Sequence, residues 1–264
     1  MQIPIYQIDA FTDAPFGGNP AAICPLDAWL ADDVLQAIAM ENNLSETAFF
    51  VGQNDHYHLR WFTPALEVEL CGHATLATAH LILNRLSPDL PRVTFETLSG
   101  MLGVRRLGDK LAMDFPSLAA GAPTPPPPAL IAALETAPLE SYPIRKVHNA
   151  PYWLMVFETE AQVAALTPKF AAMGANVIAT APGQTSDFVS RFFAPMSGVD
   201  EDPVTGSAHC TLAPYWAERL GKTELAARQI SARGGDVGCR LQGDRVILTG
   251  SCAFYMAGEI EVPA

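Results

Sequence analysis

Three short segments occur twice in this chain, in the same order and at nearly the same spacing. The pairs are RWFTP at 60–64 with RFFAP at 191–195, CGHA at 71–74 with TGSA at 205–208, and GDKL at 108–111 with GDRV at 243–246. The offsets are 131, 134 and 135 residues, and loop insertions produce increments of this kind. Two copies with so long a period exclude a solenoid, so we predict a duplicated fold of two similar lobes.

A proline-rich segment separates the two copies. The segment PSLAAGAPTPPPP at 116–128 contains four consecutive prolines, which cannot continue a helix or a central strand. We therefore expect an N-terminal lobe at 1–118, a linker at 119–128 and a C-terminal lobe at 129–253, with 254–264 returning to the first lobe as a closing strand. The alternative is a long surface loop inside one domain.

Each copy has the same predicted order of elements. An aromatic-rich strand leads to a polar loop, a turn of small residues, a helix and two further strands. The helices are predicted at 74–86 and 208–220, and Gly221 is typical of a position just beyond a helix C-terminus. The later strands are predicted at 92–97, 102–107, 229–232 and 238–242, and further helices at 30–41 and 128–134. This mixture predicts an α+β fold.

Composition narrows the class of protein. Hydrophobic residues make up 49% of the 264 and charged residues 17%, which excludes intrinsic disorder. The net charge of −12 repels phosphate, so we expect no nucleic-acid partner and no docking on an anionic membrane. No apolar run approaches the roughly 18 residues of a spanning helix. The five cysteines form no CxxC pair, which indicates free thiols in the reducing cytoplasm.

Gly72 and Gly206 stand at the starts of the two predicted main helices. A helix start exposes unpaired backbone N–H groups, and glycine lets a ligand approach the backbone closely. If the lobes face each other, both starts point into one cleft suited to a carboxylate or a developing enolate. The alternative is that the glycines only permit tight turns.

Four polar residues stand near these helix starts or at a strand entry: Glu46, His73, Asp202 and Ser207. His73 and Ser207 each follow a helix-start glycine, and Asp202 lies in the segment EDP at 201–203. Taken singly, a histidine at a helix start is more typical of a surface residue or of one bonded to a nearby carbonyl, and EDP is more typical of a turn. Glu46 precedes the apolar run AFFV, which is consistent with a general base whose pKa is raised by apolar surroundings. A solvated acid or a capping residue at the strand start is the alternative for Glu46.

Several motifs together resemble the PhzF-like proteins of phenazine biosynthesis. They are IDAFT at 8–12, GGNP at 17–20, NLSETAF at 43–49, CGHAT at 71–75, EDPVTGSA at 201–208 and QISARGG at 229–235. The similarity extends over essentially the whole chain. It implies a diaminopimelate-epimerase-like fold: two pseudo-symmetric α+β lobes, each a curved mixed sheet around a central helix, with the site between them.

The resemblance also implies roles for particular residues. Glu46 matches the family's catalytic glutamate, which moves a proton between carbons, and His73, Asp202 and Ser207 match the polar residues around the substrate. We also expect four neighbouring residues to bind substrate: Gly72, Ala74, Gly206 and Ala208. The implied activity is that of an isomerase acting on a small carboxylate-bearing molecule, without a metal or organic cofactor. A homodimer is a further family expectation.

Two alternatives to this function stay open. The epimerase branch of the fold uses one cysteine per lobe, and Cys71 occupies the first such position while Thr205 occupies the second. A two-thiol racemase is therefore disfavoured, whereas a Cys71-assisted epimerase or racemase is not. The other alternative is a metabolite-binding protein without turnover.

Overall fold

The computed structural model describes residues 1–147 and 150–263. The chain divides into two compact units, one formed by 1–115 with 248–264 and the other by 116–247. Among the residues that the structure describes, every helix is too short or too polar to cross a membrane.

Unit 1 is a mixed sheet with two α-helices, the second of which continues into a π-helical turn at Ile82–Leu86. Its elements are β1 (Gln2–Ala10), β2 (Asn19–Pro25), α1 (Asp32–Asn42), β3 (Glu46–Gln53), β4 (His56–Phe62), β5 (Glu67–Val68), α2 (Gly72–Leu81), β6 (Arg92–Thr97), β7 (Gly100–Leu107), β8 (Lys110–Pro116) and the late strand β17 (Cys252–Glu261). β2 runs parallel to β3 and β4 parallel to β6, while the pairs β1–β2, β3–β4 and β6–β7 are antiparallel. β17 pairs antiparallel with β1 along its length.

Unit 2 repeats this topology. Its elements are α3 (Pro128–Leu134), β9 (Glu140–Val147), β10 (Ala150–Val156), α4 (Glu160–Ala164), α5 (Phe170–Met173), β11 (Asn176–Pro182), β12 (Phe188–Ala194), β13 (Val199–Asp202), α6 (Gly206–Leu220), β14 (Glu224–Gln229), β15 (Gly235–Gln242) and β16 (Arg245–Gly250), which extends into unit 1. β10 runs parallel to β11 and β12 parallel to β14, and the pairs β9–β10, β11–β12 and β14–β15 are antiparallel. The two units therefore share one order of parallel and antiparallel pairings, and the fold is α+β.

The central helix of each unit consists largely of small and apolar residues, which allows it to be buried. In α2 every residue except His80 is buried, because Ala, Thr and Gly alternate with Leu all round the helix. Small side chains let the sheet approach closely, and α2 contacts β1, β2, β3 and β17. α6 packs on β14 and β15 and ends at Gly221, which adopts the left-handed conformation that favours glycine.

One ion pair is repeated between the units at equivalent positions. Arg60 of β4 donates two hydrogen bonds to the Glu67 carboxylate, from Nε to Oε1 and from Nη2 to Oε2, each 2.7 Å long. Arg191 of β12 holds Glu201 of β13 by the same two atoms at 2.7 and 2.8 Å. These arginines begin the repeated motifs RWFTP and RFFAP, so in each unit the repeat encodes the bidentate link that fastens a short strand to its neighbour.

The structure refines some predicted bounds and overturns one. Helix α3 has the predicted bounds, with Pro128 at its first position, where a missing N–H costs nothing. Helices α2 and α6 each begin two residues earlier than predicted, at their glycines. The strand predicted at 229–232 is wrong, because the strand is Glu224–Gln229 and the residues after it form a turn. Alanine has low strand propensity, and pairing on both sides overrides it here.

Candidate active site

The glycine turn between β1 and β2 places Asn19 in the core of unit 1. Gly18 has φ +61°, and a Cβ there would lie 2.1 Å from the carbonyl oxygen of Ala10, so only glycine fits. Asp9 Oδ2 accepts a hydrogen bond of 2.9 Å from the Phe16 N–H and closes the loop. The chain then enters β2 at Asn19, whose side chain is fully buried.

Glu46 is the first residue of β3, which lies beside β2 in parallel with Glu46 opposite Ala21. Its carboxylate Oε2 lies 3.2 Å from Nε2 of His73, the second residue of α2. The Glu46 side chain is 18% exposed and that of His73 only 5%, and the two facing atoms, Oε2 of Glu46 and Nε2 of His73, are both buried. The structure therefore brings together two of the four predicted polar residues.

His73 is a neutral imidazole held in place through its other nitrogen. Its Nδ1 lies 3.1 Å from Asn19 Nδ2 and 3.4 Å from Cys71 Sγ. Burial lowers the pKa of His73 to about 3, so the ring carries one proton at neutral pH. With the Asn19 amide as donor, Nδ1 accepts and Nε2 carries that proton, facing Glu46.

The starts of α2 and α6 are built alike. Cys71 and Thr205 are the N-cap residues, both with extended backbones, and neither side chain caps its helix. The N-cap carbonyl also accepts a side-chain hydrogen bond in each unit. Thr75 Oγ1 donates to Cys71 O at 2.5 Å, and His209 Nδ1 lies 2.7 Å from Thr205 O. The backbone N–H groups of the first turn point out of both helices without competition from a cap.

The other predicted polar residues lie in unit 2. Asp202 ends β13, is half-buried, and accepts a hydrogen bond at Oδ2 from the Thr205 hydroxyl. Ser207 is the second residue of α6 and is exposed. Burial raises the pKa of Tyr152, and the nearby Asp202 charge raises it further. The four predicted substrate-binding residues are all buried, Gly72 and Ala74 in α2, Gly206 and Ala208 in α6.

One group of side chains has the chemistry of a metal site. One ligand atom each from Glu46, Cys71 and His73 lies within 4.8 Å of the others. Carboxylate, thiolate and imidazole are all ligands of Zn²⁺, and three protein ligands with an open position are typical of catalytic zinc. In a mechanism without metal, the same three side chains would instead take part in proton transfer. The expectation that the protein uses no cofactor stays a prediction.

Sequence reasoning missed the amide side chains behind the site. Asn19 and Gln229 are both fully buried, and each contacts a predicted site residue. Both belong to glycine-containing segments, GGNP and QISARGG, where an amide is usually a turn residue. The sequence did contain one signal for Asn19: a polar amide directly before an apolar run, which indicates that the amide enters the core with the strand.

Comparisons with known proteins agree with this architecture. The family described as phenazine biosynthesis-like protein matches residues 8–258. An uncharacterized isomerase of Pseudomonas aeruginosa is 53% identical, covering 99% of this chain and all of its own. A crystal structure of a phenazine biosynthesis protein of the PhzF family from Enterococcus faecalis is 43% identical, with a TM-score of 0.91 over 99% of this chain and 100% of that one. A hydroxyproline epimerase from Agrobacterium vitis shares the fold alone, with 12% identity and a TM-score of 0.62 over 98% and 91%.

Proposed function

The chain belongs to the phenazine biosynthesis-like (PhzF) family, several of whose similar members are named isomerases, and we propose that it moves a proton between carbons of a small carboxylate-bearing metabolite without a cofactor. The observation that carries the proposal is the contact between Glu46 and His73. A partly exposed glutamate whose buried Oε2 lies beside a buried, neutral imidazole is suited to take up and return a proton.

Glu46 is the general base in this proposal. Its carboxylate removes a proton from a carbon next to an electron-withdrawing group of the substrate, exchanges it with solvent, and delivers a proton to a second carbon. No atoms are gained or lost, as an isomerisation requires. His73 places Nε2 at 3.2 Å from the carboxylate, and Asn19, as donor to Nδ1, favours the tautomer that carries the hydrogen on Nε2.

The substrate carboxylate needs hydrogen-bond donors while negative charge develops on the molecule. Within each unit we propose the backbone N–H groups of the helix start as candidate donors: those of α2 at Gly72 and Ala74, and those of α6 at Gly206 and Ala208, where no bulky side chain stands. Ser207 adds a hydroxyl at the same end of α6. Asp202 acts as the second proton-transfer group in the same reaction.

We also propose a cytoplasmic location. The five cysteines form no disulfide and four of them are buried, which is common in proteins of a reducing compartment. We also propose a homodimer, which sedimentation of the purified protein tests. A small carboxylic acid is the only partner that the proposed reaction requires.

The experiment is a search for hydrogen exchange at carbon. The purified protein is incubated in heavy water with a defined panel of small amino, hydroxy and unsaturated carboxylic acids, and mass spectrometry follows each compound. A compound that gains deuterium only with active protein identifies the substrate class. If the whole panel gains none while one compound binds, the chain is a binding protein.

A second candidate function is a Cys71-assisted epimerase of the same fold. The observation in its favour is the 3.4 Å contact between Cys71 Sγ and His73 Nδ1. In that reaction the Cys71 thiolate takes part in proton removal or return at one carbon, so the product is a stereoisomer instead of a positional isomer. Chiral separation of the deuterated product distinguishes the two.

A further inference from the structure

Thr205, the N-cap residue of α6, is held through each of its polar groups. Its backbone N–H donates to Gln229 Oε1 at 2.9 Å, and its carbonyl oxygen lies 2.7 Å from His209 Nδ1. Its hydroxyl donates to Asp202 Oδ2. Gln229 and His209 are both fully buried, and burying a polar side chain costs free energy unless it forms hydrogen bonds, as both do here with Thr205.

Gln229 fixes both ends of the turn between β13 and α6. Its Nε2 donates to the carbonyl oxygen of Asp202 at 2.7 Å and to Thr205 Oγ1 at 3.3 Å, while its Oε1 accepts from the Thr205 N–H. The amide comes from the last residue of β14, which pairs with β12 on one side and β15 on the other. One side chain anchored in the sheet therefore sets the conformation of the turn that carries Asp202.

The Thr205 hydroxyl does not form the hydrogen bond that an N-cap side chain usually makes to its helix. A threonine at this position commonly accepts a bond from the first turn of its helix, which is worth about 1 kcal/mol. Here no such bond forms. Because Thr205 Oγ1 accepts from Gln229, its single proton is directed to Asp202. Helix stability does not explain this arrangement, whereas the orientation of Asp202 does.

We propose that Gln229 is a positioning residue which, acting through the Thr205 hydroxyl, holds the Asp202 carboxylate in one orientation and favours its ionised form. A hydroxyl that donates to a carboxylate stabilises the charged state. Tyr152 interacts electrostatically with Asp202 and with Cys210, and Cys210 interacts in turn with Arg245; burial raises the pKa of both the phenol and the thiol. The inference rests on the proposed role of Asp202 in proton transfer.

We call the hydrogen bonds from Gln229 to the Thr205 hydroxyl and from that hydroxyl to Asp202 the relay. The test compares Gln229→Met and Thr205→Val, which remove the relay, with Thr205→Ser, which keeps it. Gln242→Met on the exposed end of β15 is the matched control. We expect Gln229→Met and Thr205→Val to lose about tenfold in kcat, less than the roughly 10²-fold or more of a whole acid–base group, with KM little changed and the acid limb of the pH profile displaced upward. Thr205→Ser retains most of the activity. Equal losses in Thr205→Ser and Thr205→Val overturn the proposal.

A second measurement does not depend on turnover. In protein labelled with ¹³C at the aspartate carboxyl carbons, the Asp202 resonance, assigned with Asp202→Asn, is followed as a function of pH. We expect its midpoint to move upward in Gln229→Met and in Thr205→Val but not in Gln242→Met, and an unchanged midpoint in folded relay variants overturns the proposal. If the wild type exchanges no hydrogen with the carboxylic acids while the midpoint still moves, the proposed function fails and the positioning role stands. Should Gln229→Met not fold, Thr205→Val carries the test. It keeps the hydrogen bonds that join the Gln229 side chain to the Thr205 N–H and to the Asp202 carbonyl oxygen.

Discussion

Nε2 of His73 lies 3.2 Å from Oε2 of Glu46, although one residue begins a strand and the other a helix. Burial keeps the imidazole neutral, with a pKa lowered to about 3, so the pair is a carboxylate beside a neutral N–H donor. A neutral imidazole with so low a pKa is a poor proton acceptor, which leaves the carboxylate as the candidate base. Glu46 is accordingly assigned as the base and His73 as its support.

The tautomer of His73 depends on Asn19, so Asn19→Asp should impair catalysis. A carboxylate at this position accepts from Nδ1–H and leaves Nε2 without its hydrogen towards Glu46. We expect the rate of deuterium incorporation to fall about tenfold or more, at the scale of a disturbed acid–base pair. The matched control is Asn54→Asp at an exposed turn of the same unit, which should keep the wild-type rate. An Asn19→Asp protein as active as this control contradicts the assigned tautomer.

Cys71→Ser separates the two candidate functions. Serine keeps a donor for His73 Nδ1 but is no substitute for a thiolate that removes a carbon-bound proton. We expect a much smaller loss than the roughly 10²-fold that follows removal of an acid–base group. The measurement is the initial rate of deuterium incorporation. Inactivation as complete as that of a Glu46 variant would favour the epimerase with Cys71 in catalysis.

Chelation tests the prediction that no metal takes part. Glu46, Cys71 and His73 are the described residues whose ligand atoms converge, so a bound ion would occupy the proposed base itself. Prolonged dialysis against EDTA should leave the exchange rate unchanged, and metal analysis of the active protein should find less than one ion per chain. Loss of activity that Zn²⁺ restores would require a metal-dependent mechanism instead.

Acid should destabilise the protein through its buried histidines. Burial lowers the pKa of His209 to about 4, against 6.5 for an ordinary histidine, despite the opposing bond to Thr205. The unfolded chain therefore binds the proton first, and stability falls as the pH drops from about 6.5 towards 4, by up to about 1.4 kcal/mol per pH unit for each such histidine. Urea unfolding of His209→Gln between those pH values should show a shallower dependence than the wild type. His56→Gln, at an exposed site, is the control, and parallel curves for wild type and His209→Gln would contradict the account.

The α+β class and the order of elements could be predicted from sequence because they rest on local patterns and on the repeat. Helix α3 follows from its proline start, and the helices after Gly72 and Gly206 follow from runs of small and apolar residues. Strand β14 could not be predicted in the same way. Its run ELAARQ is stabilised as a strand by two neighbours that are distant in sequence, and local propensity does not contain that information.

The site was predictable in part. The motifs single out Glu46 and His73, but their contact depends on the parallel pairing of β2 with β3 and on the packing of α2 against both. The roles of Asn19 and Gln229 were beyond sequence reasoning for a different reason. An amide side chain has no charge and no characteristic spacing, so only its buried partners show what it does.

The substitution Glu46→Gln tests the central claim most directly. The amide keeps the size and one oxygen of the side chain but cannot take up a proton, and the exposed Glu41→Gln on α1 is the control for the loss of one negative charge in unit 1. With the carboxylic acid that gains deuterium in the wild-type reaction, and with folding verified by circular dichroism, the account predicts that Glu46→Gln lowers the incorporation rate by at least about 10²-fold while Glu41→Gln leaves it unchanged. A folded Glu46→Gln protein that retains more than about a tenth of the wild-type rate would contradict the assignment of Glu46 as the base.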